Sequence, residues 1–526
     1  MSWAKVVHET VARVRPLSVD ANLAAWNANV EATPESEARR VEAEVALSDV
    51  LGEAELFSAV EGARTRVPDA DARRQLDLLH DALLPHQVPA GLRHRIVEIE
   101  ASVESRFASH RGVVKGTEVS DNEIKRILRS SEDTAERREA WEASKTVGAA
   151  VADDVRALAR LRNEAARSLG HRDWFALAVR TMEMDEAKLF ATLDEVDRGT
   201  VEPFTRWKAS VDEQLAARFR CPVSELRPWH YADPFFQDVP REGGIDLDYV
   251  FAGGDLLALT RRTFDGIGLE TRPILDRSDL FPRDRKCQHA FCLDVDRDGD
   301  VRVLCNVVPD SYWMDTMLHE LGHGVFSSGH DPDLPWLLRD CHLTTTEGIA
   351  ILMGRLAADR EWLERVADVP ESDAGALAAP LRSALAAHHV VFARWVLVMT
   401  GFERALYADP DSDLDAKWWE LVARFQQLAP PDARRAPDWA AKIHVACAPV
   451  YYHTYLYGGM TAAQLAATLA REAGGLVDRP AAGTLLGERV FRSGLSERWD
   501  RLLQRATGEP LTARYYAAEI AAGLAA

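Results

Sequence analysis

Apolar residues recur at helical spacing through most of this chain. From the N-terminus to about residue 235, runs such as 36–46 and 151–166 place Ala, Leu and Val three and four positions apart among Glu and Arg. That spacing predicts a series of amphipathic helices. The breaks are short. At Val67-Pro68-Asp69-Ala70 the proline marks a turn, and Asp69 is placed to cap the next helix. No segment repeats at a fixed period. The pattern changes between 271 and 310, where residues 288–295 and 301–308 form two β-prone runs around Asp296-Arg297-Asp298-Gly299-Asp300. This predicts a hairpin. The acidic run lacks the twelfth-position glutamate of a calcium loop, so it reads as a turn. Asp310-Ser311 then offers an N-cap for a helix from about 312 to 327, which Gly329 and Pro332 end. From Thr346 onward the pattern is helical again, with a break at Ala429-Pro430-Pro431-Asp432. The fold class expected is mostly α, with one short sheet beside the 312–327 helix.

Composition narrows the partners. The chain has 526 residues, of which 47% are hydrophobic, enough for a sizeable core. Its formal net charge of −20 opposes nucleic-acid binding and polybasic attachment to membranes, since both need the opposite sign. Residues 1–9 show no signal-peptide core. The most apolar long stretch, 389–399, carries Arg394 and reads as a core helix, not a membrane span. A cytoplasmic location is therefore expected. The six cysteines have no C-x-x-C pairing, which predicts free thiols. Nothing in the sequence fixes an oligomeric state.

The candidate chemistry lies within the 312–327 helix. His319-Glu320-Leu321-Gly322-His323 puts two imidazoles at i and i+4 on one helical face. That arrangement binds zinc, and the intervening Glu320 can act as general base. A catalytic zinc takes three protein ligands and keeps one position open. The three-histidine class needs Gly and His three and six residues after the second histidine; Phe326 and Gly329 stand there, so it is excluded. His330 and His342 remain nominal third ligands. Glu347 is the stronger candidate, as a carboxylate in the first turn of a helix capped by Thr344, Thr345 or Thr346.

These residues bring the chain close to a known family. It resembles the angiotensin-converting enzyme family of zinc peptidyl-dipeptidases, and more distantly the thimet oligopeptidase and oligoendopeptidase F group. In the first family a glutamate 24 residues after the second histidine binds zinc, and Glu347 has that spacing from His323. Arg162-Asn163-Glu164-Ala165-Ala166-Arg167, Gln288-His289-Ala290-Phe291, Trp418-Trp419 with Pro430-Pro431, and Lys442-Ile443-His444 leading to Pro449 and Tyr451-Tyr452-His453-Thr454-Tyr455 also match its segments. The resemblance spans about 155–460; the first 120 and last 60 residues match only in helical character.

The resemblance implies a single catalytic domain over residues 1–526. It would be a two-lobed helical ellipsoid split by a deep channel, with residues 1–120 as a helical lid. It implies one zinc on His319, His323 and Glu347, Glu320 as base, and Tyr455 as oxyanion donor. His289 and His444 would donate to a bound short peptide, Ala290 would pair with it from an edge strand, and Tyr452 would meet its C-terminal side, with Tyr451 a rival for that role. Lys442 would bind the peptide's terminal carboxylate, unless it is an ordinary solvated lysine. The family's chloride-binding arginines fall on Val422 and Thr454, so chloride activation is not expected. Its disulfide partner is one residue away from Cys287, and Ile351 replaces an acidic residue behind the zinc. Three readings follow: release of C-terminal dipeptides, endo-acting oligopeptidase activity, or an inactive helical peptide-binding scaffold.

Overall fold

A computed structural model describes residues 2–67, 69–240, 247–432 and 434–525. It is mostly α, as the periodicity predicts, with two small antiparallel hairpins among the described residues. Asp69 caps its helix, accepting from the Ala72 amide, while Pro68, where a turn is expected, lies outside the described residues.

The chain forms two compact units. One comprises Met1–Gln87, Ile245–Leu381 and Tyr457–Tyr515; the other comprises Val88–Gly244, Arg382–Leu456 and Tyr516–Ala526. In the first, the motif helix runs Ser311–Ser328. Asp310 caps it, its carboxylate accepting from the Trp313 amide at 2.8 Å, a contact worth ~1 kcal/mol. Met314, Met317, Leu318, Leu321, Val325 and Phe326 are buried along one side of this helix and join the unit's main core. The expected hairpin is present but shorter, with Phe291–Asp294 paired to Val301–Leu304, and it packs on the motif helix. Its acidic turn is internally satisfied. Asp296 accepts from the Asp298 and Asp300 amides, and Asp298 pairs with Arg15 and Arg339.

The second hairpin, Gly112–Val114 with Thr117–Val119, is absent from the sequence expectation of one sheet. Its two-residue turn places Lys115 and Gly116 at φ 51° and 76°, the left-handed pair of a tight hairpin. Lys-Gly is a weaker signal for that turn than Asn-Gly, which explains the omission.

One described helix, Glu371–Ala408, is long and apolar enough to cross a membrane. Of its most apolar window 72% is buried inside the protein, as in a core helix. Within the second unit its Trp395 packs edge-on to Trp418, and its Tyr407 receives a hydrogen bond from Arg162 at 3.0 Å.

Candidate active site

The motif helix crosses the helix Leu343–Gly354 with almost no space between backbones. A Cβ on Gly322 would lie 2.8 Å from Ala350 Cα, so only glycine permits the approach. A Cβ on Gly458, from the helix Tyr452–Glu472, would lie 2.8 Å from Glu347 Cβ. These two close contacts set Glu347 facing the histidines. Its Oε2 is 3.9 Å from His319 Nε2, and the His319 and His323 rings stand 5.0 Å apart, nearly perpendicular. One ligand atom from each of His319, His323 and Glu347 lies within 4.8 Å of the other two, the only such group of three among the described residues.

The nominal alternatives are occupied elsewhere. His342 is the N-cap of its helix, accepting from the Thr344 amide, and stacks on Trp499 at 5.6 Å. His330 Nε2 contacts Cys341 Sγ at 3.4 Å. The cap corrects the sequence reading. The threonines lie inside the helix and Glu347 falls in its second turn. An imidazole does the capping, which the usual Ser, Thr, Asp and Asn signals do not anticipate.

This geometry frees Thr346 for a role the sequence did not suggest. Its hydroxyl lies 2.7 Å from His323 Nδ1, which fixes the ring and leaves Nε2 for a metal. Thr346 thus supports the site where the family resemblance supplies an acidic residue and this chain has Ile351.

Burial controls the charges. It lowers the His319 and His323 pKa values to about 4 and 3, so both imidazoles are neutral and able to ligate at neutral pH. It raises Glu347 to about 7; it also raises Glu320 to about 8, helped by the Glu347 carboxylate and opposed by a hydrogen bond from the Cys292 amide. Two neutral imidazoles beside two carboxyl groups short of positive charge fit a divalent cation.

The segment before the hairpin departs from expectation. The strand begins at Phe291, so Ala290 lies just outside it in irregular chain, and His289 is exposed. The six cysteines are free in the structure. Where the resemblance places a disulfide, Lys286 is instead fully buried. Its ammonium donates to Asp279 Oδ1 at 2.8 Å, to the Phe281 carbonyl at 2.8 Å, and to the Asp279 and Cys305 carbonyls.

In the second unit, Lys442, His444, Tyr452 and Tyr455 come together. Lys442 is no solvated surface lysine. Its Nζ donates to Gln237 Oε1 at 2.8 Å and lies 5.4–5.6 Å from the rings of Trp395, Phe235 and Tyr452. Burial lowers its pKa to about 8. Tyr452 packs on the His444 ring at 4.9 Å, whereas Tyr451 packs on Tyr455 at 5.1 Å, so Tyr452 is the tyrosine beside Lys442 and His444. The loop carrying Phe235 and Gln237 is itself anchored. Lys145 Nζ and Trp141 Nε1 both donate to the Pro234 carbonyl, and Gln426 donates to those of Phe235 and Phe236. No local pattern marks this loop, because its partners are distant in sequence. Val422 and Thr454 are buried, and the Thr454 hydroxyl donates to the Tyr451 carbonyl.

Comparison with known families agrees with this chemistry. Residues 2–223 match the angiotensin-converting enzyme family profile, and residues 276–522 match that of Peptidase family M3. The chain is a metallopeptidase related to both. The matches extend the sequence resemblance outward from 155–460 to nearly both ends, so the first 120 residues carry more than helical character. They also divide it: the span matching the first family includes the Arg162–Arg167 segment, and the span matching the second includes the metal motif, Lys442 and the tyrosines. No curated protein matches the chain.

Proposed function

We propose that the chain is a zinc peptidase that releases dipeptides from the C-termini of short peptides. His319, His323 and Glu347 would hold one zinc. When bound, zinc lowers the pKa of a water and polarises the scissile carbonyl. Glu320, kept in place by the Cys292 amide, accepts the water's proton and delivers it to the leaving amine. The Tyr455 phenol donates to the oxyanion that develops at the carbonyl. His444 and His289 donate to peptide carbonyls. No chloride enters this scheme.

The observation that carries the dipeptidyl specificity is the setting of Lys442. A lysine held among three aromatic rings, with one amide partner and a pKa lowered by burial against the pull of Asp233, Asp238 and Asp121, has no negative charge in direct contact. A peptide's terminal carboxylate supplies that charge, and binding there would fix the scissile bond at a set distance from the chain end. Tyr452, against His444 and beside Lys442, would line the same subsite.

A second reading has its own support. The span carrying the metal motif, Lys442 and the tyrosines matches Peptidase family M3, which favours an endo-acting oligopeptidase. Mass spectrometry of products from matched free-acid and amidated peptides separates the two. Loss of the free carboxylate should abolish cleavage in the first case. Equal cleavage of both sets would overturn the dipeptidyl reading in favour of the second.

A further inference from the structure

The segment from His444 to Tyr452 makes a left-handed turn at Val450. Val450 has φ 59°, in the left-handed region that a β-branched residue enters only against steric repulsion, and it is 1% exposed. Its amide donates to Glu403 Oε1 at 2.6 Å. Glu403 is also 1% exposed and lies on the helix Glu371–Ala408. Four residues earlier in the segment, the Ala446 carbonyl accepts from the buried guanidinium of Arg162, which also bonds Tyr407 and Glu100. Two buried ionisable side chains thus grip the segment between His444 and the tyrosines: the Arg162 guanidinium and the Glu403 carboxyl, which burial pushes up to about 8. Beyond the turn, the Tyr452 ring meets His444.

We propose that Glu403 is a positioning residue: by holding the Val450 amide it fixes the left-handed turn that seats Tyr452 and Tyr455 in register with His444. The proposal rests on the reading in which those three side chains meet the substrate. Strain retained at such a point is the expected mark of a pre-organised site.

The test uses the full-length protein with Glu403→Ala, Glu403→Gln, Val450→Ala and Val450→Gly. Amide exchange of residues 444–456, read by mass spectrometry, reports the turn without reference to catalysis. Glu403→Ala should speed that exchange and lower kcat/KM on free-acid peptides about tenfold or more. Glu403→Gln, whose carbonyl can still accept from Val450, should restore both. Val450→Gly should melt above Val450→Ala, the reverse of the usual order, because glycine alone tolerates the left-handed backbone. The proposal is overturned if Glu403→Ala leaves exchange and kcat/KM unchanged, if Glu403→Gln is as damaging as Glu403→Ala, or if Val450→Ala melts higher. Should Glu403→Ala fail to fold, Glu403→Gln and the Val450 pair decide. A wild-type protein that cleaves no peptide would sink the function reading, while the exchange and melting comparisons would still judge the turn.

Discussion

Replacing Lys442 with methionine should make the protein more stable and less specific. In the native state burial takes this ammonium from its ordinary pKa of 10.5 to about 8. A gap of 2.5 pH units, at ~1.4 kcal/mol each, means that holding the charged form costs about 3 kcal/mol at pH 7. Methionine keeps the aliphatic stem against Phe235, Trp395 and Tyr452 but removes the charge. It also leaves Gln237 without its partner, a loss of about 1 kcal/mol. The net gain is about 2 kcal/mol at neutral pH, an increase in melting midpoint of roughly 4–8 °C if the affected unit unfolds alone with the entropy of a 150–250-residue domain. The sign with pH follows from the two pKa values. The wild-type cost is fully present below about 8, shrinks between 8 and 10.5, and vanishes above 10.5, where the lysine is neutral in both states. The variant's advantage should fade over that window. Meanwhile kcat/KM on free-acid peptides should fall by at least roughly 10–100-fold, the worth of a charge-assisted hydrogen bond, towards the background left on amidated peptides, which should not change. Thermal melts from pH 7 to 10 and paired kinetics check both. A variant less stable than wild type at pH 7, or an advantage constant to pH 10, would refute the idea that Lys442 is a cation kept desolvated for binding.

Glu320→Gln should abolish peptide hydrolysis, by about 10²-fold or more, while retaining metal stoichiometry by elemental analysis; loss of metal would instead make Glu320 a structural residue. Thr346→Val removes the hydroxyl at His323 Nδ1 and should weaken metal affinity about 10–100-fold in a chelator titration, with little change in melting of the metal-free protein. Gly322→Ala forces a Cβ to within 2.8 Å of Ala350 Cα, so it should lower the melting midpoint and metal affinity together; a variant that keeps both would show that the helix crossing is looser than described.

What was legible in the sequence was what local signals encode. The motif helix ran almost where its Asp310 cap and Gly329 end placed it. Glu347 stood out by its spacing from His323, which the family resemblance singles out, although its helix starts at a different cap from the one expected. The misreadings came where a contact between distant residues or an unusual cap decided the outcome. Thr346 looked like a cap because the imidazole of His342 is a rare one. Lys442 could not be told from a surface lysine, because Gln237 and Phe235 lie about two hundred positions away. The Val450 turn was invisible because no sequence rule assigns a valine to the left-handed region.

Lys286 changes what kind of fastening joins the chain ahead of the hairpin to its second strand. A disulfide would tie that fastening to the redox state of the surroundings. Four oxygen acceptors around a dry ammonium tie it to the exclusion of water. Reductants should leave it intact, and salt should screen it little while it stays buried. Once the segment lifts and water enters, each contact loses most of its strength at the same moment. The fastening therefore behaves as a latch, closed or open with little between. The stretch that presents His289 and Ala290 should accordingly open in a single step, together with the hairpin and not residue by residue.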